Sequence, residues 1–425
     1  MLNVLTVSLY TFFTVLACRL FWHSKRANPV FWFIVFQWII AAGTLAFVNF
    51  KNDVEILYGL LFFLSLFSFV VGAQIKASRH DFASLSSTFF LKSIEIDRKL
   101  PHIIFIFLSL LSLLVTIYYY KVVGYNLFVD VLLGAEMSDF VSLRLAMYSG
   151  EEYFAPGYVN QFKNALLPLA LGFVICYLYL VAKHPLRFLG LIVVVFIFMA
   201  ALLGTGQRGP FLFALAAIVF SFSLIKRINL IKMAILTVPV ILLFGVFAVL
   251  NLRTEDVTLL ESLLALLVRL FMVEQTEGIE SFKYIASIKS VYGYEWLEGF
   301  MGISPWHPGS YLEHQTFWEL HRSDRGTSGV SLVANTYHNG RIPLVVMAYL
   351  LMGYGYMSAY YRFLSGRRTY LRIFGYGHIF FILAVLVGGS PVVLVNKGLI
   401  VFMFILIIRK VRFSAGSQLN TAVVV

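Results

Sequence analysis

Charged residues are scarce in this chain of 425 residues. They make up 13% of it, whereas hydrophobic residues make up 60%, and the mean hydropathy is +0.85. A soluble protein of this length cannot hide so much apolar surface, so a soluble globular fold is excluded. The composition predicts an all-α polytopic membrane protein with one integral membrane domain over residues 1–425.

Cysteines and metal-binding patterns are also few. Cys18 and Cys176 both lie inside apolar runs, so neither a disulfide nor a thiolate metal site is expected. The histidines at 307, 314, 321 and 338 lack zinc-helix spacing, and no Asp-x-Asp pair offers ligands for a divalent ion. We therefore expect no metal and no cofactor.

Apolar runs of spanning length recur along the chain and predict about eleven transmembrane helices. The first run has no basic segment before it and carries its charges after it, so we expect an uncleaved span with its N-terminus outside. The runs lie at about 2–22, 29–50, 54–74, 101–121, 163–182, 187–206, 210–226, 230–251, 342–362, 371–389 and 392–409.

The net charge of +12 is unevenly distributed. The short connections, the 75–100 segment and the C-terminal tail hold most of the basic residues, and all fall on one side if the spans alternate. That side is predicted to be cytoplasmic, and only Asp81, Glu95 and Asp97 add negative charge there. The excess charge is thus interpreted as a topology signal and an affinity for anionic membrane lipids, and no nucleic acid partner is expected.

Two long extracytoplasmic loops are predicted, at about 122–162 and 252–341. The first is expected to carry one or two short interfacial helices. The second is the largest part outside the spans, and loops of this length in compact proteins usually have a function. Within it, the apolar stretch 257–273 is short and contains Glu261 and Arg269, so it is predicted to be an interfacial or re-entrant helix.

The stretch GTGQRGP, residues 204–210, joins two apolar runs. An arginine at such a tight junction is costly unless it has a ligand or a partner. Gly206 and Gly209 allow a ligand to approach the backbone closely. Pro210 suits the first turn of the next helix, whose free N–H groups would face the same place as Arg208. The alternatives are a phosphate site and an ordinary turn whose arginine reaches lipid headgroups.

Further arginines lie near span ends on the predicted outer face. Arginine makes bidentate contacts with phosphate and stays charged at all relevant pH values. The alternative is that each pairs with a nearby carboxylate. We favour phosphate binding for Arg208 and Arg253, which have few acidic neighbours or lie at membrane depth. The other members of this set are Arg269, Arg322, Arg325 and Arg341.

Two further motifs lie in the long loop. GISPWHPG is the densest turn signal of the chain, and its Trp306 ring either stacks on a sugar or anchors the loop at the membrane interface. NTYHNGR precedes a predicted span, and its His338 is either a general base for a hydroxyl or a structural histidine.

Several of these segments together resemble the Wzy-type O-antigen and enterobacterial-common-antigen polymerases of bacterial envelopes. The resemblance covers about residues 195–355, and the hydropathy pattern agrees over nearly the whole chain. The segments are GTGQRGPFLFAL, LNLRTED, LLVRLF, GISPWHPGSYL and RGTSGVSLVANTYHNGRIPLVVMAYLLMGYG.

The resemblance implies a metal-independent glycosyltransferase with a GT-C-like fold, placed in the bacterial inner membrane with its active site facing the periplasm. The donor would be a growing glycan on undecaprenyl pyrophosphate, and the acceptor the distal sugar of a lipid-linked repeat unit. Membrane lipids and a chain-length regulator are further candidate partners.

These expectations assign roles to individual residues. Fixed cations can stabilise the charge of a leaving pyrophosphate in place of a metal. His338 is the expected base or acceptor-positioning residue, and Trp306 and Tyr337 are expected to contact sugars. The expected pyrophosphate ligands are Arg208, which would also act in catalysis, Arg253, Arg269 and Arg325.

Two other functions remain open from the sequence. An O-antigen ligase would use the same membrane chemistry but pass the glycan to the lipid A core. A lipid-linked oligosaccharide flippase or other transporter should have polar residues in mid-span and repeated halves. Here the polar residues concentrate in the outward loops, which favours a polymerase over a transporter.

Overall fold

The computed structural model describes residues 1–22, 27–95, 101–133, 159, 161–180, 184–205, 208–226, 268, 274–301, 312–323, 328–392 and 394. Within these ranges the regular structure is helical, and the pairing of extended backbone is limited to one isolated bridge between Glu95 and Thr369. The predicted all-α class is confirmed.

The described ranges contain the helices α1 to α14, numbered in chain order. A π-helical turn, Gln161–Leu166, precedes α7, and a 3₁₀ turn, Leu386–Gly388, follows α14. The helices are α1 Leu2–Leu20, α2 Pro29–Phe47, α3 Asp53–Ala77, α4 Phe82–Leu91, α5 Pro101–Val123, α6 Leu127–Leu132, α7 Leu167–Leu180, α8 Arg187–Leu203, α9 Arg208–Lys226, α10 Glu274–Ser287, α11 Tyr294–Met301, α12 Leu312–His321, α13 Leu332–Leu364 and α14 Tyr370–Val385.

Seven helices in the described ranges are long and apolar enough to cross a membrane, which confirms a multi-pass membrane protein. Two more of the predicted runs form shorter apolar helices, Arg187–Leu203 and Pro210–Ile225. The predicted runs 230–251 and 392–409 lie outside the described residues. The total of eleven spans therefore stays a prediction.

Polar residues set the beginnings of several helices. Asn28 accepts a hydrogen bond from the Val30 N–H and is followed by a proline at the first position of α2. Asn52 and Asp81 cap α3 and α4 in the same way. A side-chain oxygen at this position satisfies an N–H group that the helix leaves free. The boundaries of the apolar helices are thus encoded by residues next to them.

The long helix α13 packs against α3 through facing glycines. A Cβ atom on Gly72 would lie 1.9 Å from the Leu350 carbonyl oxygen, and one on Gly353 would lie 2.0 Å from the Phe69 carbonyl oxygen. Only glycine permits such close approach of two helix backbones. Phe33 of α2 stacks on Phe69 at 4.3 Å between ring centres, so α2 completes this central group of helices.

One end of the helices, here called the basic end, is organised by Arg368. Its buried guanidinium donates to the carbonyl oxygens of Lys92 at 2.6 Å and Leu224 at 3.1 Å. These contacts join the segment after α4 and the end of α9 to the start of α14. Three of the places that the sequence puts on one side of the membrane therefore meet in space.

The opposite end, here called the loop end, carries α10, α11 and α12. Lys283 of α10 forms an ion pair of 2.8 Å with the buried Glu55 at the start of α3. The Tyr58 and Ser331 hydroxyls are 2.7 Å apart, which ties the start of α13 to α3. Since α9 ends at the basic end, its first residue, Arg208, lies at the loop end.

Candidate functional site

The first two turns of α13 present three buried polar side chains on one helix face. Asn335, His338 and Asn339 follow an i, i+3, i+4 spacing, and each is at least nine-tenths buried. Ser331 caps this helix by accepting a hydrogen bond from the Ala334 N–H. The cap and the spacing place all three residues against the helices of the long loop.

Glu295 of α11 meets this face and is itself only 4% exposed. Its Oε2 atom accepts hydrogen bonds from the Nδ2 atoms of Asn339 at 2.8 Å and Asn335 at 3.4 Å. Trp296 donates its indole N–H to Asn335 Oδ1 at 2.5 Å. Because Asn335 accepts from the indole with one end and donates to the carboxylate with the other, its amide orientation is determined.

Two carboxyl groups, Glu295 of α11 and Glu313 of α12, have raised pKa values. Burial raises the pKa of Glu295, although hydrogen bonds from Asn339 and from the backbone of Leu312 act in the opposite direction. Burial, with a smaller contribution from the nearby charge of Glu295, raises the pKa of Glu313 to about 7. Proton affinity tuned by burial is common in sites that transfer protons.

The helix α13 is interrupted directly after these residues. Gly340 leaves the helical conformation, and Arg341 has a φ of 56° and a ψ of −157°. A positive φ is strained for a residue with a Cβ atom and is often found at functional sites. Pro343 then lies in the first turn of the apolar part of the helix. The break separates a polar segment over the site from the span.

Arg341 turns back towards the site from this break. Its guanidinium lies 4.8 Å from the centre of the Tyr337 ring and donates to the Ile288 carbonyl oxygen. The adjacent backbone is held as well, because the His338 carbonyl oxygen accepts from the Ser290 hydroxyl at 2.9 Å. A cation is thereby fixed at the edge of the site.

Several enclosed polar atoms of the site make no hydrogen bond with any residue that the structure describes. Among them are His338 Nδ1, Asn339 Oδ1 and Arg341 Nη1. Buried polar groups normally have partners, so each such atom needs an explanation. The first two of these atoms are able to accept a hydrogen bond and the third donates. A molecule rich in hydroxyl groups would satisfy both kinds of atom.

The structure describes only part of the predicted site. His338 lies in the cluster, and Tyr337 packs its ring against Phe282 at 5.2 Å while Arg341 covers part of it. Arg208 begins α9, but its side chain lies outside the described part. Arg253, Arg269, Arg325 and Trp306 also lie outside the described residues.

Pro210 and Arg322 also lie within the described residues. Pro210 lies in the first turn of α9, as expected. Arg322 forms an ion pair of 2.9 Å with Glu319, which agrees with the carboxylate-pairing alternative for that arginine.

The connection between α8 and α9 is held by the segment before α6. The Leu127 N–H donates to the Gly204 carbonyl oxygen at 2.9 Å, and Asn126 Nδ2 donates to the Ala200 carbonyl oxygen at 3.1 Å. A Cβ atom on Gly204 would lie 2.6 Å from the Asn126 amide. At Gly204 the backbone is therefore approached closely by a protein side chain, and the close approach of a ligand at Gly206 and Gly209 stays a prediction.

Glu295, Asn335 and Asn339 were not predicted as site residues. A signal for the two asparagines was present, because they share a helix face with His338 in the NTYHNGR motif. Nothing local distinguishes Glu295 from the other acidic residues of the loop.

No group of three possible metal ligands of the His, Cys, Asp or Glu type occurs in the described parts of the chain. Comparisons with protein-family models, with curated proteins and with solved structures find no match to this chain.

Proposed function

We propose that this chain is a polysaccharide polymerase of the Wzy type. It would be a GT-C-like glycosyltransferase of the bacterial inner membrane, with about eleven spans and the loop end facing the periplasm. It would transfer a growing glycan from undecaprenyl pyrophosphate to the distal sugar of a lipid-linked repeat unit. Besides the resemblance in sequence, the observation that supports this proposal is the buried cluster around Glu295.

The cluster has the chemistry of a carbohydrate site. Glu295 and the two asparagines combine a carboxylate with amide groups, which hydrogen-bond to sugar hydroxyls. The ring of Trp296 is held beside them by its bond to Asn335. Because the cluster lies at the end of a span, it would meet the sugar of a substrate whose lipid remains in the membrane.

In the proposed reaction, the free acceptor atom of His338 takes up the proton of the acceptor hydroxyl. The oxygen of the acceptor hydroxyl bonds to the anomeric carbon of the donor, and the bond from that carbon to pyrophosphate breaks. The hydroxyl proton passes to His338 Nδ1, which has no other partner among the described residues. Arg208, with Arg253, Arg269 and Arg325, would stabilise the negative charge of the departing pyrophosphate.

Deletion and complementation test the proposal. Surface polysaccharide from a strain lacking the chain is separated on a gel. We expect the ladder to collapse to core carrying a single repeat unit, and the intact chain to restore it. Loss of all capped core would indicate a ligase, and lipid-linked repeats held on the cytoplasmic face would indicate a flippase. Either result would refute the polymerase proposal.

Site variants test the assigned roles in the same strain. His338→Ala and both Arg208→Ala and Arg208→Lys should abolish chain extension while the protein still inserts in the membrane. Arg322→Ala is the matched control, because this exposed arginine is paired with Glu319 and should leave the ladder unchanged. A normal ladder from Arg208→Ala would show that the phosphate role is wrong.

A further inference from the structure

Lys163 is a buried lysine within a candidate span. It lies in the π-helical turn at the start of the span Gln161–Tyr179, and its side chain is 1% exposed. Its Nζ donates to Asn164 Oδ1 at 2.6 Å and lies 5.1 Å from the centre of the Tyr119 ring. Neither neighbour carries a negative charge.

The charge of this lysine has no counterpart in the part of the chain that the structure describes. No described carboxylate lies within ion-pair distance of its Nζ. An ionisable group inside a span is costly, and such residues generally mark a binding or transport site. π-helical turns are also rare and frequently occur at functional sites. The two features coincide at one residue.

The position of the π turn identifies the place where a ligand would bind. The turn packs against α5, α7, α8 and α9. Tyr120, next to Tyr119, donates its hydroxyl to the Ala201 carbonyl oxygen at 2.8 Å, near the end of α8. The π turn that carries Lys163 therefore lies among these helices near the end of α8, after which α9 begins at Arg208.

We propose that Lys163 binds a phosphate ester at the loop end, between the π turn and the beginning of α9. An ammonium ion and the free N–H groups of a helix beginning both attract a tetrahedral oxyanion. The face of the Tyr119 ring stabilises the cation when the ligand is absent. The identity of the ester rests on the proposed function, because a polyprenyl pyrophosphate carries this group, while a phospholipid headgroup offers the same chemistry.

Binding measurements on the purified full chain in detergent test this site. Lys163→Met removes the charge but keeps the length of the side chain, and Lys121→Met is the matched control at an exposed lysine of α5. The probes are undecaprenyl pyrophosphate, phosphatidylglycerol and undecaprenol, and native mass spectrometry measures their binding. We expect Lys163→Met to bind undecaprenyl pyrophosphate at least about tenfold more weakly, and undecaprenol unchanged.

The probes distinguish the two sources of the ester. A larger loss for undecaprenyl pyrophosphate than for phosphatidylglycerol assigns the site to the lipid carrier, and an equal loss assigns it to a phospholipid headgroup. Binding of both phosphate probes by Lys163→Met as tightly as by the unchanged protein overturns the site.

Thermal stability without added probe gives a second, independent measurement. Removing an unpaired buried charge should leave the melting temperature unchanged or raise it, whereas breaking a buried ion pair lowers it clearly. A clear decrease would show that a carboxylate of the chain is the partner and would overturn the proposal. Failure of the proposed function differs from failure of this site. If only the function is wrong, the chain binds the pyrophosphate probe but does not restore the polysaccharide ladder.

Discussion

Glu295 and Asn339 are joined by a hydrogen bond of 2.8 Å between two buried side chains. The bond connects the short helix α11 of the long loop to the polar first turns of α13. Because a carboxylate is the acceptor, it is stronger than a bond between neutral groups. The contact both fastens the loop to the span and orients the amide groups of the proposed sugar site.

Replacement of this carboxylate should reduce activity more than it reduces folding. In Glu295→Gln the side chain keeps its shape but loses the charge that accepts from both asparagines. A hydrogen bond to a charged group contributes about 1.5–3 kcal/mol, so we expect chain extension to fall by at least about tenfold. The gel ladder measures the loss, with membrane yield as the check on folding.

Glu298→Gln is the matched control for this variant, because it changes a carboxylate on the same helix, whereas the asparagines donate to Glu295. Its ladder should match that of the unchanged protein. Equal ladders from the two variants would remove Glu295 from the proposed site.

The close approach of α3 and α13 predicts that alanine substitutions at two glycines of α13 differ strongly in their effect on stability. Gly353→Ala would place a methyl group 2.0 Å from the Phe69 carbonyl oxygen, so the two helices must separate. Overpacking of this kind costs about 1–3 kcal/mol or more. Gly355→Ala meets nothing within 4 Å and should be neutral. The melting temperatures of the two purified variants decide between these outcomes, and equal values would contradict the packing.

Helix class and approximate span positions were predictable because the apolar runs are long and hydropathy determines which segments enter a membrane. The meeting of the segment after α4, the end of α9 and the start of α14 at one end was also predictable, since alternating spans return the chain to the same side. The π turn around Lys163 was not, because it depends on how α5, α8 and α9 pack on that segment.

The candidate site was predictable only in part. His338 stood out because it precedes a span in a polar motif. Glu295 did not stand out, because 40 or more residues separate it from the asparagines it binds, and only tertiary packing brings them together. The interruption at Arg341 was also hidden, since the Gly–Arg–x–Pro order is compatible with a continuous helix that has a proline in its first turns.

Arg368 and its neighbour Arg367 should differ sharply in their effect on stability. The side chain of Arg368 is buried and supplies hydrogen bonds to carbonyl oxygens at the ends of two elements, among them those of Lys92 and Leu224. Arg368→Met would leave these oxygens without a donor, at a cost of about 1–3 kcal/mol for each buried group. Arg367→Met changes an exposed arginine and should be within about 0.5 kcal/mol of the unchanged protein.

Thermal unfolding in detergent measures both arginine variants. The Arg368 variant should also expose the basic end to proteolysis, since the contacts joining α4, α9 and α14 are weakened. Similar melting temperatures for the two variants would show that the hydrogen bonds of Arg368 contribute little.

The raised pKa of Glu313 predicts a dependence of stability on pH. Burial raises this pKa to about 7, above the ordinary value of 4.5. Between these two values the folded chain keeps a proton that the unfolded chain has lost, so the free energy of unfolding decreases as the pH rises. Below pH 4.5 the group does not lower the free energy of unfolding. Above pH 7 it lowers the free energy of unfolding by its full contribution, at most about 3 kcal/mol.

Glu313→Gln removes this titration and should therefore stabilise the protein only at the higher pH. We expect the variant and the unchanged protein to have nearly the same melting temperature at pH 5, and the variant to melt at a higher temperature at pH 8. Glu319→Gln on the same helix loses a surface ion pair with Arg322 and should show no such difference. A Glu313→Gln variant less stable than the unchanged protein at pH 8 would mean that this carboxylate is charged and paired in the folded protein.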